Sequence, residues 1–212
     1  MASDSSVCRD CRQAGEKLFL KGTRCRTNKC PMEDRATSPG QHGKRAATRK
    51  LSEYGKQLKE KQKVKLMYGV LEKQFHRFFN LASKHKGVTG EKLLSLLERR
   101  FDNVLFRLKM AFSRPQARQL IVHGHVHVNG KRVKSPSYLV KEGDIITLSE
   151  STLKNKEFVE GVIDKRMNIG IKVPEWLELD KKERKGVILR FPIRSDITVP
   201  IEEHLIVELY SK

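Results

Sequence analysis

Two sets of side chains in this sequence have the type and spacing of metal ligands. The first is His123, His125 and His127, within "SRPQARQLIVHGHVHVNGKRVK" (residues 113–134). Alternate residues share one face of a β-strand, and three imidazoles on one face would make a catalytic metal site with an open position. The second is Cys8, Cys11, Cys25 and Cys30, spaced C-x2-C, thirteen residues, then C-x4-C. Four thiolates around one ion would make a closed, structural site.

The local punctuation dissolves the histidine set. Ser113 followed by Gln116 is a capping-box pattern, and Pro115 falls in the first helical turn, where it is tolerated. Ala117, Leu120 and Ile121 form an apolar stripe, flanked by Arg114 and Arg118 one turn apart. Gly124 is a left-handed helix stop, which leaves His123 at a helix end and only His125 and His127 on the following strand. "VNGK" is a two-residue Asn-Gly hairpin turn. It pairs Val128 with Lys131, His127 with Arg132, Val126 with Val133 and His125 with Lys134. One face then holds valines, and the other holds His125, His127, Arg132 and Lys134. A metal would need a carboxylate or cysteine beside the imidazoles, and this stretch has neither. The expectation is a basic hairpin face.

The cysteines survive the same scrutiny. A short thiol-dense module with two such pairs points to a metal rather than two disulfides. Arg9, Arg12, Lys17, Arg24, Arg26 and Lys29 are close in sequence and offset the surplus negative charge of four thiolates. Zinc is the expected ion, with an iron–sulfur cluster as the alternative.

These groups sit on a chain of 212 residues, room for one or two domains. The net charge is +19, distributed as +7, +7, +4 and +1 over residues 1–50, 51–100, 101–150 and 151–212. A graded excess implies a polyanionic partner met mainly by the N-terminal part. No apolar run approaches the roughly 18 residues of a spanning helix, and "MASDSSVCRD" has no signal-peptide core. A soluble, cytoplasmic protein with no membrane partner and no small-molecule substrate is expected.

After the cysteines, "PMEDRATSPGQHGKRAATRK" reads as a loop or arm, with Arg45, Arg49 and Lys50 as candidate phosphate contacts. Ser52 then caps a helix that Gly69 stops. Its apolar positions are Tyr54, Leu58, Val64, Met67 and Tyr68, continuing to Leu71. Lys56, Lys59, Lys61, Lys63 and Lys65 lie between them, opposed locally by Glu60 alone, and so predict a phosphate-facing helix. Phe75, Phe78, Phe79 and Ala82 form a core stripe on the next helix. "VTGEKLLSLLERRFDNVLFRLKMAF" predicts a helix, a break with Asp102 as N-cap, and a second short helix. In "SPSYLVKEGDIITL", "KEGD" is a turn and "DIITL" a strand.

"SRPQARQLIVHGHVHVNGKRV" with "YLVKEGDIITL" resembles the RNA-binding module of the fourth protein of the bacterial small ribosomal subunit. Pseudouridine synthases and tyrosyl-tRNA synthetases carry the same module. "PGQHG", "LKEKQKVKLMYGVLEKQF", "LLERRFDNVLFRL", "PEWLELD" and "HLIVELYSK" extend the likeness to that ribosomal family nearly end to end. The cysteine quartet also occurs in part of the family. Position 127 is His where a small residue is common.

The resemblance implies an α+β fold. A four-cysteine metal arm (1–44) precedes a helical domain (45–100, completed by 175–212), with the RNA-binding module (101–174), helices plus a small antiparallel sheet, inserted. It implies no enzyme but a structural ribosomal protein that binds small-subunit rRNA early, at a multi-helix junction of its 5′ domain, and influences translational accuracy. It also implies contact with neighbouring ribosomal proteins, including the fifth of the small subunit, and with mRNA near where it enters. The expected RNA contacts are Arg45, Arg49, Lys50, Lys56, Lys59, Lys61, Lys63, Lys65, Arg114, Arg118, His123, His125 and Lys131. An RNA-modifying enzyme tethered by the module would need a pocket with a catalytic acid or nucleophile. Asp102 and Asp144 read instead as cap and turn residues. A free-standing regulator would usually be shorter and lack the "HLIVELYSK" ending.

Overall fold

The computed structural model describes residues 7–34, 37–43, 50–170 and 172–211. The chain forms two compact units: residues 1–90 with 200–212, and residues 91–199.

In the first unit, helix α1 (Val7–Ala14) carries Cys8 and Cys11, a 3-10 turn (Gly22–Arg26) carries Cys25, and Cys30 immediately precedes α2 (Pro31–Asp34). Helix α3 (Glu53–Tyr68) follows. Its ends are those the sequence predicts: Ser52 Oγ accepts from Gly55 N at 3.2 Å, and Gly69 stops it at φ 62°. A left-handed residue at that place lets the Gly69 and Val70 N–H groups bond back to Leu66 and Lys65 carbonyls. Helix α4 (Glu72–Ser83) buries Phe75, Phe78, Phe79 and Ala82. Each buried aromatic contributes about 1.5–3 kcal/mol. The C-terminal helix α11 (Glu203–Ser211) returns to this unit, where the Tyr210 ring stacks on Phe79 at 4.6 Å. Of the apolar positions along α3 and just after it, Tyr54 and Leu71 stay exposed.

Helix α5 (Thr89–Glu98) begins at the boundary, which falls after Gly90. The second unit continues with α6 (Phe101–Arg107), α7 (Arg114–His123), strands β1 (Val126–Val128), β2 (Lys131–Arg132) and β3 (Ile145–Leu148). A helical run follows: α8 (Glu150–Lys154), α9 (Lys156–Phe158), a π-turn (Val159–Asp164) and α10 (Lys165–Asn168). Strands β4 (Leu177–Asp180) and β5 (Lys185–Ile188) close it. The sheet is antiparallel in the order β2-β1-β3-β5-β4. Its buried face packs on α6 and α7 through Leu105, Leu108, Ile121, Val126, Ile146 and Trp176.

Two expectations differ from this arrangement. The expected helical domain, residues 45–100 completed by 175–212, does not coincide with a unit: residues 91–100 and 175–199 belong to the second. Strand β5 instead hydrogen-bonds to β3, so the sheet holds the chain in the second unit until Val199. Asp102 does not cap α6. Arg100 occupies the cap position, and Asp102 lies inside the helix, buried beneath two arginines.

Candidate nucleic-acid interface

Two of the four predicted hairpin pairs form, His127 opposite Arg132 and Val128 opposite Lys131; the ladder ends there, and His125 stands just before β1. Asn129 and Gly130 take φ 51° and 75°, both positive, as an Asn-Gly turn of this type requires. Val126 and Val128 are buried, and Val133 packs against the same core. The opposite face is open. His123, His125, His127 and Arg132, with Ser149 and Ser151, line a concave groove of about 600 Å³. The His125 Nδ1 lies 2.9 Å from Thr152 Oγ1, and Arg132 Nη2 donates to the His123 carbonyl at 2.8 Å. Gly124 makes this last contact possible: a Cβ there would fall 1.9 Å from Arg132 Nε. Lys131 is exposed at the hairpin end. The alternation of histidines therefore builds one basic groove from two elements. Among the described residues, Glu150 at the rim is the one carboxylate that lines it.

Arg114 and Arg118 have unequal fates. Arg114 is buried; its Nε donates to Asn103 Oδ1 at 2.8 Å, and its guanidinium sits 4.7 Å from the Phe106 centroid. Asn103 Nδ2 donates in turn to Glu98 Oε2, which also accepts from Arg107 Nε. A buried amide between a carboxylate and a guanidinium satisfies each polar group in a low-dielectric site. Arg114 is therefore a strut of the module. Arg118 bonds Asp102 Oδ2 at 3.1 Å while 40% of its side chain stays exposed. Asp102 also holds Arg100.

In the first unit, the α3 lysines divide. Lys56 and Lys59 are exposed, as is Lys50 before the helix. Lys56 pairs with Glu53 at 2.7 Å, an exposed contact of small energetic weight. Lys61, Lys63 and Lys65 are drawn into the protein. Lys61 and Lys65 share the Glu72 carboxylate at 2.8 and 2.6 Å. Lys63 meets Glu60, Glu16 and the Pro200 carbonyl. The expected opposition by Glu60 alone is therefore too sparse: Glu53 joins it on α3, and Glu72 at the start of α4 and Glu16 after α1 arrive from elsewhere in the chain. Burial pushes the Glu72 carboxyl up, but hydrogen bonds from Lys61, Lys65 and the Tyr210 hydroxyl outweigh it and hold the group at about 2. Arg45 and Arg49 lie outside the described residues.

No disulfide joins the four cysteines, which line one small cavity with Lys21 and Met32. Cys11, Cys25 and Cys30 are buried. Lys21 N donates to Cys25 Sγ at 3.2 Å. Burial pushes the Cys11 and Cys25 thiols up. Among the described residues no three His, Cys, Asp or Glu side chains stand at metal-binding spacing. Four cysteines lining one cavity, with cations in the surrounding sequence, are nonetheless the donor type and number that a soft divalent ion takes.

Several basic side chains at these surfaces are not among the expected RNA contacts. Arg132 and His127 line the groove, and the hairpin register itself was the signal for them. On α4, Lys73 and Arg77 are exposed opposite the phenylalanine stripe, and Lys84 and Lys86 extend that surface past the helix end. Their signal is the complement of the core pattern: where Phe75, Phe78 and Phe79 face in, the residues between them face out.

Comparison with known proteins bears on what these surfaces do. Residues 3–98 match the family model "Ribosomal protein S4/S9 N-terminal domain", and residues 99–146 match "S4 domain". The chain is 52% identical over 206 residues to small ribosomal subunit protein uS4 of Halothermothrix orenii, covering 97% of each chain. It is 54% identical to the protein of the same name from a Thermoanaerobacter species, again over 97% of each. Against that of Dictyoglomus thermophilum the identity is 53%, over 97% of this chain and 96% of the other.

Proposed function

The chain belongs to the uS4 family of small-ribosomal-subunit proteins, and from that membership we propose that it is a structural constituent of the small ribosomal subunit that binds its rRNA. It works in the cytoplasm as part of the ribosome and is no enzyme. The observation that carries the RNA contact is the two-faced β1–β2 hairpin. One face is sunk in the core, which fixes the other, bearing His125, His127 and Arg132, as a rigid basic groove. Lysines and arginines on such surfaces neutralise phosphates and release counterions. A-form major grooves are too narrow to read, so selectivity comes from the shape of a folded junction.

The contacts on this reading are Lys50, Lys56 and Lys59 on the first unit, and Arg118, His123, His125, Lys131 and Arg132 on the second, each exposed or half-buried. Lys61, Lys63, Lys65 and Arg114 act from within, shaping the surfaces. The binding site is a multi-helix junction of the rRNA 5′ domain, met early in assembly. The fifth small-subunit protein, other ribosomal neighbours and mRNA near where it enters complete the surroundings, and through them the protein affects accuracy.

Zinc is the proposed cofactor, held by Cys8, Cys11, Cys25 and Cys30. When bound it would tie α1, the 3-10 turn and the start of α2 together where little apolar core exists.

The test is affinity for a 5′-domain rRNA transcript against salt concentration, with bulk tRNA as competitor. A steep fall in affinity with salt and survival of binding in the competitor are expected. Binding insensitive to salt, or abolished by tRNA, overturns the proposal.

A further inference from the structure

The groove beside α7 combines features that a merely basic surface lacks. Three of its four positively chargeable groups are imidazoles: His123 at the end of α7, His125 just before β1 and His127 within β1, joined by Arg132 of β2. The His123 and His125 rings are 6.1 Å apart between centroids. Hydroxyls of Thr147 in β3 and Ser151 in α8 line the same concavity. Imidazole N–H groups, a guanidinium and hydroxyls in one concavity form a site for a phosphodiester, the unit of an RNA backbone.

The groove is also pre-shaped. The 2.9 Å contact of His125 Nδ1 with Thr152 Oγ1 sets that ring, leaving Nε2 for a ligand. Thr152 Oγ1 is itself held at 2.8 Å from Ser149 Oγ, and both residues are buried. Arg132 is fixed over Gly124 by the His123 carbonyl. Little has to be ordered when an anion arrives.

Charge is the variable. Imidazole is the side chain that ordinarily changes charge between about pH 5 and 8. The charged and titratable groups facing the groove, among the described residues, are His123, His125, His127, Arg132 and, as the single carboxylate, Glu150. Two neighbouring imidazoles repel when both are protonated. A phosphate between them reverses that and favours the protonated forms. Anion binding therefore takes up protons, and affinity rises as pH falls.

We propose that the groove of His123, His125, His127 and Arg132 seats a backbone phosphodiester of RNA, and that imidazole protonation sets its grip. This deepens the RNA-binding reading above and rests on it. Each proton taken up steepens affinity by as much as about tenfold per pH unit, so an uptake averaging about half a proton gives about tenfold between pH 8 and pH 6.

The test measures binding of the full chain to a 5′-domain rRNA transcript at pH 8 and pH 6, at constant ionic strength. A variant carrying His123→Gln, His125→Gln and His127→Gln is compared with one carrying His76→Gln and His85→Gln, exposed histidines of the other unit. The wild type and the second variant are expected to bind about tenfold tighter at pH 6, and the groove variant to lose that ratio. A ratio near one in the wild type, or a wild-type ratio kept by the groove variant, overturns the proposal. If no sample binds the transcript at either pH, even at low salt, the RNA-binding reading itself fails. Circular dichroism confirms that the groove variant is folded.

Discussion

Asn103 Oδ1 accepts a 2.8 Å hydrogen bond from Arg114 Nε, inside the second unit and away from solvent. This pair converts an arginine that the helix pattern places on an RNA-facing flank into an internal strut. It links the start of α7 to the first turn of α6, and Phe106 covers the guanidinium. A charged donor on a buried amide is among the stronger hydrogen bonds in a folded protein, and removing it leaves an acceptor stranded.

Arg114→Ala is therefore expected to destabilise the second unit by roughly 2–4 kcal/mol. Arg114→Lys should recover little, since an ammonium cannot reproduce the guanidinium's planar donors and stacking. Trp176, the chain's single tryptophan, is buried in that unit's core, so its fluorescence during urea unfolding reads the effect. A variant of wild-type stability that binds RNA poorly would show Arg114 to be a contact and not a strut.

Gly124→Ala is expected to cost about 1–2 kcal/mol from its φ of 74° alone. The added methyl also collides with Arg132, which must swing away and release the His123 carbonyl. RNA affinity should fall together with stability. Urea unfolding combined with filter binding checks both, and an unchanged affinity would show that Arg132 needs no fixed position.

Glu72 predicts an acid-sensitive first unit. Its carboxyl is held at about 2, against 4.5 ordinarily, by Lys61, Lys65 and Tyr210 after burial has pushed the other way. A group depressed in the folded state stabilises it above its unfolded value and loses that contribution as pH falls through the folded one. The stability gap between wild type and Glu72→Gln should be full above about pH 4.5 and shrink toward pH 2. Thermal melts followed by helical circular dichroism across that range would show it. A gap constant with pH would mean the ion pairs contribute nothing.

The metal reading predicts one zinc per chain in protein purified without oxygen, released by a strong chelator with loss of structure around α1. Cys25→Ser should lower zinc content and expose this segment to proteolysis. Protein that holds neither zinc nor iron as isolated contradicts the assignment.

Much of the fold is local and hence readable in the sequence. Ser52, Gly69, Ser113, Gly124 and the Asn129–Gly130 turn each act within four residues of themselves, and each stands where its chemistry requires. What could not be read is long-range. Lys61 and Lys65 look unopposed along their own helix, because Glu72 belongs to the next one. Lys63 draws on Glu16 and the Pro200 carbonyl, 47 and 137 residues away. Asp102 looks like a cap until Arg100 and Arg118 close over it. The groove falls between these cases. The hairpin register revealed its basic face, but the participation of His123 depended on how Gly124 turns the chain between α7 and β1.

Ultraviolet crosslinking of the chain in assembled small subunits, with both peptide and nucleotide mapped, tests the central claim most directly. Crosslinks to small-subunit rRNA are expected from the segment around His123–Arg132 and from Lys50–Lys59, and none from buried Arg114. Absence of rRNA crosslinks from the hairpin, or a chain that washes off the subunit intact in high salt, would contradict the account.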